Sequence, residues 1–207
     1  MLFGLAKRRQ KIVALRSVRG KAPATPAAAP RGSSHALGER LRAVGTTKTP
    51  DEAMTLALQI IREEFGAMAV AFCLFEPRHR TLRLAAEIGL SDEGCNHLRT
   101  ARDGVPVGWD MPLHSLLNRR AYLIDTAARN RYVPRLVEHP ASIGTLACIP
   151  VEAGTRPAGS LVLITRAPRR LDERDVLALR PALRALALLT QDLRQRAGDI
   201  WAASLAS

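Results

Sequence analysis

Five aromatic or polar residues in the middle of the chain have types that could together surround a small polar ligand. They are Trp109, His114, Asp125, Arg131 and Tyr132. A tryptophan ring offers a stacking surface, imidazole and phenol groups form hydrogen bonds, a carboxylate accepts them, and a guanidinium binds anions. All five lie in the irregular stretch 104–141, and irregular segments on a regular scaffold often form binding sites. We expect these residues to line a pocket, although packing or a solvated loop would explain each one individually.

The cysteines and histidines form no catalytic or metal-binding pattern. Cys73, Cys95 and Cys148 include no CxxC pair, and their odd number argues against a disulfide framework. Cys73 and Cys148 lie in apolar runs, where a buried thiol is expected rather than a reactive thiolate. The histidines show neither HxxxH spacing nor a spacing that pairs them with carboxylates; they are His35, His79, His97, His114 and His139. The sequence therefore predicts no enzyme and no metal site.

Positive charge is concentrated at the N-terminus. The net charge is +12, and residues 1–50 hold 11 Lys or Arg against Glu39 alone. Residues 20–36 are rich in Pro, Ala, Gly and Ser, which is typical of a solvated linker. We therefore predict a basic, flexible arm over residues 1–36, a folded domain over 37–197 and a short tail over 198–207. The arm is either a solubilising tail or contacts an anionic surface such as a membrane or nucleic acid.

Apolar runs in this chain are too short for a membrane span or a secretory signal. No run approaches the roughly 18 residues that a span needs, and Ile12-Val13-Ala14-Leu15 is shorter than the core of a signal peptide. We expect a cytoplasmic protein.

The order of predicted elements indicates an α+β domain. Thr49-Pro50-Asp51-Glu52 predicts a helix start with a capping box, and Gly66 predicts its end. A strand that is apolar on both faces follows at 68–75, and an alternating strand at 82–88 completes a hairpin. Two short helices at 92–102 and 113–119, a strand at 121–124 and a loop at 126–141 are predicted next. A second hairpin follows, with strands at 143–151 and 160–165 joined by a turn at 154–159. A long helix begins at 171.

This order resembles a GAF domain over roughly residues 45–195. The resemblance rests on four features of the sequence. The first two are the helix end Phe65-Gly66 before the strand Val70-Ala71-Phe72, and the segment Arg119–Asp125. The other two are the strand Ala147-Cys148-Ile149-Pro150-Val151 followed by the strand Gly159–Leu163, and the start of the closing helix at Leu171-Asp172-Glu173-Arg174-Asp175. It implies a central antiparallel sheet of about six strands flanked by helices. It also implies a sensory or regulatory domain in signal transduction, which binds a small molecule or mediates signalling interactions.

The ligand signatures of the family do not identify a ligand. Asn130-Arg131 lies where cyclic-nucleotide-binding relatives have Asn-Lys, but the accompanying Phe and Asp-Glu are missing. Bilin-binding relatives use a Cys-His pair, whereas Cys95-Asn96-His97 has an extra residue. Some relatives reduce free methionine sulfoxide with cysteines, which leaves a distant enzyme alternative. The cofactor is thus unknown, and a ligand-free interaction module is the main alternative to a sensor.

The closing helix predicts a homodimer. Val176, Leu179 and Leu183 begin a series with alternating steps of three and four that continues through Leu186 to Leu193, with Thr190 in the gap. Leu177, Leu188 and Leu189 lie partly off that series. Pro181 predicts a kink near the first third of the helix. The same spacing would also arise if all these residues covered the sheet of their own chain.

Overall fold

The computed structural model describes residues 11–14, 34–44, 49–99, 109–125, 127, 130 and 133–205. The first long helix of the domain, α2 (Pro50–Phe65), forms where the sequence predicts it. Thr49 Oγ1 accepts a hydrogen bond from Glu52 N, and Glu52 Oε2 accepts one from Thr49 N at 3.1 Å. Gly66 ends the helix in the left-handed conformation, with φ of 57°, which glycine adopts without steric strain. The predicted capping box is confirmed.

Five strands form an antiparallel sheet in the order β4-β5-β6-β2-β3. Their bounds are β2 (Ala67–Glu76), β3 (Thr81–Ile88), β4 (Arg120–Ile124), β5 (Ile143–Ala153) and β6 (Arg156–Arg166). A further strand, β1 (Lys11–Ala14), pairs with β4 in parallel and forms one edge. The predicted α+β class is confirmed, with five antiparallel strands rather than about six.

The sheet carries a separate hydrophobic core on each face. Along β2, Val70, Phe72 and Leu74 belong to one core, whereas Ala69, Ala71 and Cys73 belong to the other, because successive side chains of a strand point to opposite faces. The helical face is covered by α1 (Ser34–Val44), α2 and the closing helix. The second face is covered by α3 (Asp92–Arg99), α4 (Met111–Asn118) and the connection after β4.

The second hairpin differs from its prediction. The sequence predicts a turn over 154–159, but Gly154 and Thr155 alone connect β5 to β6, and Arg156–Gly159 belong to the strand. Pro157 is tolerated because it lies beside a break in the register, where Val151 pairs with Gly159 but the next residue, Glu152, pairs with Pro157. Close packing requires a glycine at position 159, because a Cβ there would lie 2.3 Å from Cys73 O and 2.6 Å from the Phe72 ring.

The closing segment forms two helices, α5 (Glu173–Ala178) and α6 (Arg180–Leu205). The chain turns at Leu179, two residues before Pro181, so the predicted discontinuity is present. Five residues of the predicted dimer seam, Val176, Leu179, Leu183, Leu186 and Thr190, are buried within the chain's own fold. The homodimer itself stays a prediction. Leu177 and Leu188 are 46% and 60% exposed. Periodicity identified the buried face but could not identify what covers it.

Two elements lie within the range predicted as a flexible arm. α1 begins at Ser34, and β1 occupies Lys11–Ala14. The other residues of 1–36 fall outside the described ranges, so the flexibility of the arm stays a prediction. In the part of the chain that the structure describes, no helix is both long enough and apolar enough to cross a membrane.

Candidate functional site

Trp109 lies at the entry to α4 and packs into the core of the second face. Its side chain is 4% exposed and shares this core with Leu113 and Leu116 of α4 and with Cys148 and Val162 of the sheet. The indole Nε1 has no hydrogen-bond acceptor among the described residues. A buried N–H without an acceptor costs about 1–3 kcal/mol, because it has lost its hydrogen bond to water. Among the described residues of the predicted pocket, Trp109 is therefore the one whose side chain is buried with a polar atom that lacks a hydrogen-bond partner.

Asp125 directly follows β4. Its carboxylate is held by a hydrogen-bond network that the sequence does not reveal. Thr145 Oγ1 donates to Asp125 Oδ1 at 3.0 Å and accepts from Leu171 N at 3.2 Å. Thr165 Oγ1 accepts from Thr145 N at 3.0 Å and donates to Arg169 O at 2.8 Å. The carboxylate is thus fixed relative to β5, β6 and the segment that leads into α5.

His114 lies on the exposed side of α4. Its Nε2 is 3.1 Å from Asp110 Oδ2, and both side chains are more than half exposed. The structure therefore does not place it beside the buried indole of Trp109. The other two predicted pocket residues, Arg131 and Tyr132, lie outside the described residues. Of the five candidates, Trp109 belongs to the core of the second face, whereas Asp125 follows Leu123 in the strand alternation and lies on the helical face.

The connection between β4 and β5 is anchored by residues that the sequence prediction missed. Ser91 N donates to Leu136 O at 3.0 Å, and Ser91 Oγ donates to Arg135 O at 3.3 Å. Gly94 N donates to Ser91 Oγ, and a Cβ on Gly94 would lie 2.4 Å from Leu136 O. Ser91 before two acidic residues is a helix-capping signal that is visible in the sequence. Its long-range contact with residues 135–136 has no local signal.

The buried cysteines are unsuited to thiolate chemistry. Cys73 and Cys148 are free and buried in the core of the second face, and Cys95 is half-buried in α3. Burial raises the pKa of the Cys73 thiol to about 12. Burial, reinforced by the neighbouring Cys73, raises the pKa of Cys148 well above its usual value. Both groups are therefore protonated at neutral pH and lack the nucleophilic form.

Histidine pairing differs from the prediction. Three histidines lie near carboxylates three or four residues away: His79 with Glu76, His97 with Glu93 and His114 with Asp110. The expected absence of such spacing was wrong, because pairs within one turn or one helix were overlooked. These are isolated surface pairs. Among the described residues no three His, Cys, Asp or Glu side chains converge as a metal site would require.

The arrangement defines a class of protein: an α+β domain with long helices packed on one face of an antiparallel sheet and short helices and irregular connections on the other. A family model described as GAF domain matches residues 47–189, well over half of the chain. The chain therefore belongs to the GAF domain family, and the resemblance noted in the sequence is confirmed. A search of the curated proteins finds no match.

Solved structures share this fold at low sequence identity. The GAF domain of the Acinetobacter phosphoenolpyruvate-protein phosphotransferase is 12% identical, with a TM-score of 0.60 over 78% of this chain and 93% of that one. The corresponding Coxiella burnetii domain is 13% identical, with a TM-score of 0.60 over 80% and 97%. The free methionine-R-sulfoxide reductase of Neisseria meningitidis, solved with its substrate, is 18% identical, with a TM-score of 0.56 over 77% and 89%.

Proposed function

We propose that this GAF domain is a sensor that binds a small molecule on the second face of its sheet, at Trp109. GAF domains are sensory and regulatory domains, which gives the general class. The observation that carries the proposal is the buried indole Nε1 without an acceptor among the described residues. A ligand oxygen placed against it would remove the cost of about 1–3 kcal/mol that the free N–H carries.

A signal can pass from this site to the closing helix through the sheet. Ser115 Oγ lies 3.0 Å from Cys148 O and 2.8 Å from Arg120 O, which ties α4 to β5 and to the start of β4. Residues of α4 pack on β5 and β6 from one face, and Leu183 and Leu186 of α6 pack on the same strands from the other. A ligand that shifts Trp109 and α4 would therefore shift the surface on which α6 rests.

Native mass spectrometry of freshly purified protein tests the ligand proposal. We expect wild type to carry an additional small-molecule mass that denaturation releases. Trp109→Phe keeps an aromatic side chain but removes the N–H donor together with part of the indole, and should lose most of that mass. Leu117→Ala, which changes an exposed side chain of the same helix, is the matched control and should retain it. Equal retention by Trp109→Phe and wild type would contradict the assignment of the site.

Homodimerisation is a second candidate function, favoured by Leu177 and Leu188, which are exposed on the closing helices. Single exposed apolar side chains are common on protein surfaces, so these two do not by themselves indicate an interface. They do provide positions at which a dimer interface can be tested. We expect light scattering at tens of micromolar to give a dimer for wild type and a monomer for Leu188→Glu. A wild-type monomer, or a dimer that survives Leu188→Glu, would exclude this face as the dimer interface.

We further propose that the domain performs no thiol catalysis, although one structure of the same fold is a free methionine-R-sulfoxide reductase. The support is the burial of Cys73 and Cys148 and the raised pKa of each thiol. Purified protein should not reduce free methionine sulfoxide with a thiol reductant. Activity that disappears on Cys→Ser substitution would establish the enzyme alternative.

The basic arm is proposed to contact an anionic surface. Residues 1–10, which precede β1, place Lys7, Arg8 and Arg9 after Phe3 and Leu5, a composition that suits contact with an anionic surface. The full chain should sediment with vesicles containing anionic lipid at low salt, whereas a chain lacking residues 1–10, which keeps β1, should not. Equal behaviour of the two chains, with nucleic acid also unbound, would leave the arm as a solubilising tail.

A further inference from the structure

A second site lies away from Trp109, at the end of the sheet where α2 meets β2. There a surface cleft of about 390 Å³ is formed by α2, the start of β2, the end of β3, the connection before β5 and the end of β6. A volume of this size is within the range of small-molecule sites. The residues that line it are Arg62, Gly66, Ala67, Met68, Gly89, Val137, Glu138, His139 and Arg166.

Glycines leave space in this cleft. Gly66 and Gly89 have φ angles of 57° and 82°, which side-chain-bearing residues rarely adopt. A Cβ on Gly89 would lie 2.4 Å from Met68 O, so β3 can approach β2 closely only with glycine there. At Gly66 no atom lies within 4 Å of the Cβ position. The cleft is thus bordered by backbone on two sides, and its peptide groups are accessible to a ligand.

The wall formed by residues 137–139 is held in place. Ser142 Oγ donates to His139 O at 2.7 Å and lies 3.9 Å from Met68 Sδ. The Arg135 guanidinium donates to Glu138 O at 3.1 Å. Val137 is buried in the core of the second face, which anchors the wall from below. This cleft therefore has a defined shape on more than one side.

The lining of the cleft carries two arginines against one carboxylate. Elsewhere in the described chain Arg40, Arg83, Arg119 and Arg169 each form an ion pair with a carboxylate. Arg62 and Arg166 form no ion pair among the described residues, although both line the same cleft. His139 adds a further nitrogen donor, and Glu138 is the single carboxylate in the lining.

We propose that this cleft binds the oxyanion of a small organic ligand, a phosphate or a carboxylate, between Arg62 and Arg166. Guanidinium groups bind both oxyanions by charge-assisted hydrogen bonds. Met68 and Val137 offer apolar contact for the body of the ligand, and Glu138 accepts a hydrogen bond from an amine or hydroxyl group on it. The ligand would connect the end of α2 to the end of β6, just before the segment that leads to α5.

Nuclear magnetic resonance titration of the full chain with inorganic phosphate and with succinate tests this proposal. Sodium chloride keeps the ionic strength constant, and the backbone amides of Gly66, Gly89 and Glu138 report on the cleft. We expect saturable shifts at these amides with at least one of the two anions. Phosphate alone, succinate alone or both would each support an oxyanion site and would identify its preferred class. Shifts with neither anion, or shifts that do not saturate, would overturn it.

Arginine variants separate a specific site from general attraction to a basic protein. Arg166→Gln should weaken binding by about tenfold or more, since one charge-assisted hydrogen bond contributes about 1.5–3 kcal/mol. Arg184→Gln removes the same charge from an exposed position on α6 that does not line the cleft, and should bind as wild type does. Equal weakening in both variants would overturn the proposal. Trp109→Phe should leave these shifts unchanged, so this site and the Trp109 site can fail independently.

Discussion

The two faces of the sheet contain similar apolar side chains but differ in how their buried polar groups are hydrogen-bonded. On the helical side, Thr190 Oγ1 donates to Leu186 O within its own helix, and Asp175 forms a capping box and an ion pair with Arg169. Thr145, on the same side as Ala147, donates to Asp125 across 20 positions. On the second face, Ser91 Oγ donates to Arg135 O, and the Trp109 N–H has no described acceptor. The buried polar groups named on the helical side are thus paired, whereas the second face carries an unpaired donor.

This difference supports the proposed location of the ligand site. A face whose buried polar groups are all paired carries no such cost in stability. A face that leaves one buried donor unpaired has a cost in stability, and ligand binding can offset that cost. The proposal of a sensing site on the second face rests on this difference.

The largest predicted effect concerns two leucines of α6 that are two positions apart. Leu186 is fully buried and Leu188 is 60% exposed. Leu186→Glu places an unpaired carboxylate in the helical core and should cost about 4 kcal/mol or more, enough to prevent folding. Leu188→Glu should change the free energy of unfolding of the monomer by about 0.5 kcal/mol or less. Urea denaturation followed by circular dichroism measures both, and similar losses would show that the helical face is wrongly placed.

Two buried threonines on the helical side of the sheet differ in the range of their hydrogen bonds. Thr145→Val removes a donor to Asp125 and leaves Leu171 N without its acceptor, so it should destabilise the fold by about 2 kcal/mol. Thr190→Val removes only a bond to the helix carbonyl of Leu186 and should cost about 0.5 kcal/mol or less. Equal costs in denaturant titrations would contradict the larger contribution assigned to the Thr145 network.

The buried thiols predict a loss of stability at alkaline pH. The pKa of Cys73 rises from 9.0 to about 12 in the folded chain, so the folded state favours the protonated thiol more strongly than the unfolded state does. This contribution is complete below about pH 9 and is lost as the pH rises toward 12, by about 1.4 kcal/mol per pH unit. Cys73→Ala should therefore show a shallower decline between pH 9 and 11. An unchanged decline would indicate that the thiol is accessible to solvent.

Thiol labelling provides a smaller but direct check. With a chromogenic disulfide reagent at pH 8, only the half-buried Cys95 should react in the folded chain, and Cys73 and Cys148 should react after unfolding. Rapid labelling of three thiols in the native protein would contradict the burial that argues against thiol catalysis.

Local signals in the sequence predicted most of the scaffold. The capping box at Thr49 and Glu52 and the continuous apolar run of β2 act within a few residues, so they can be identified without the fold. Gly159 misled the prediction because close packing against Phe72, rather than a turn, requires a glycine there. The series through Leu186 predicted a buried face but not that the chain's own sheet covers it.

The candidate site could be predicted only in part. Trp109 and Asp125 were identified by type and position, but the unpaired indole and the Thr145 contact depend on packing between distant segments. His114 was misjudged because sequence alone did not show that it lies on the exposed side of α4, beside Asp110. The cleft at Arg62 and Arg166 brings together four separate stretches of the chain and has no signal in any one of them.

The indole N–H resonances test the central claim most directly. The chain has two tryptophans, so Trp109 and Trp201 of α6 give separate signals that Trp201→Phe assigns. We would titrate protein stripped by unfolding and refolding with the dialysable small-molecule fraction of a cell extract. The account predicts that the Trp109 indole resonance moves as its N–H gains an acceptor while the Trp201 resonance stays in place. A Trp109 resonance that remains fixed throughout the titration would contradict sensing on this face.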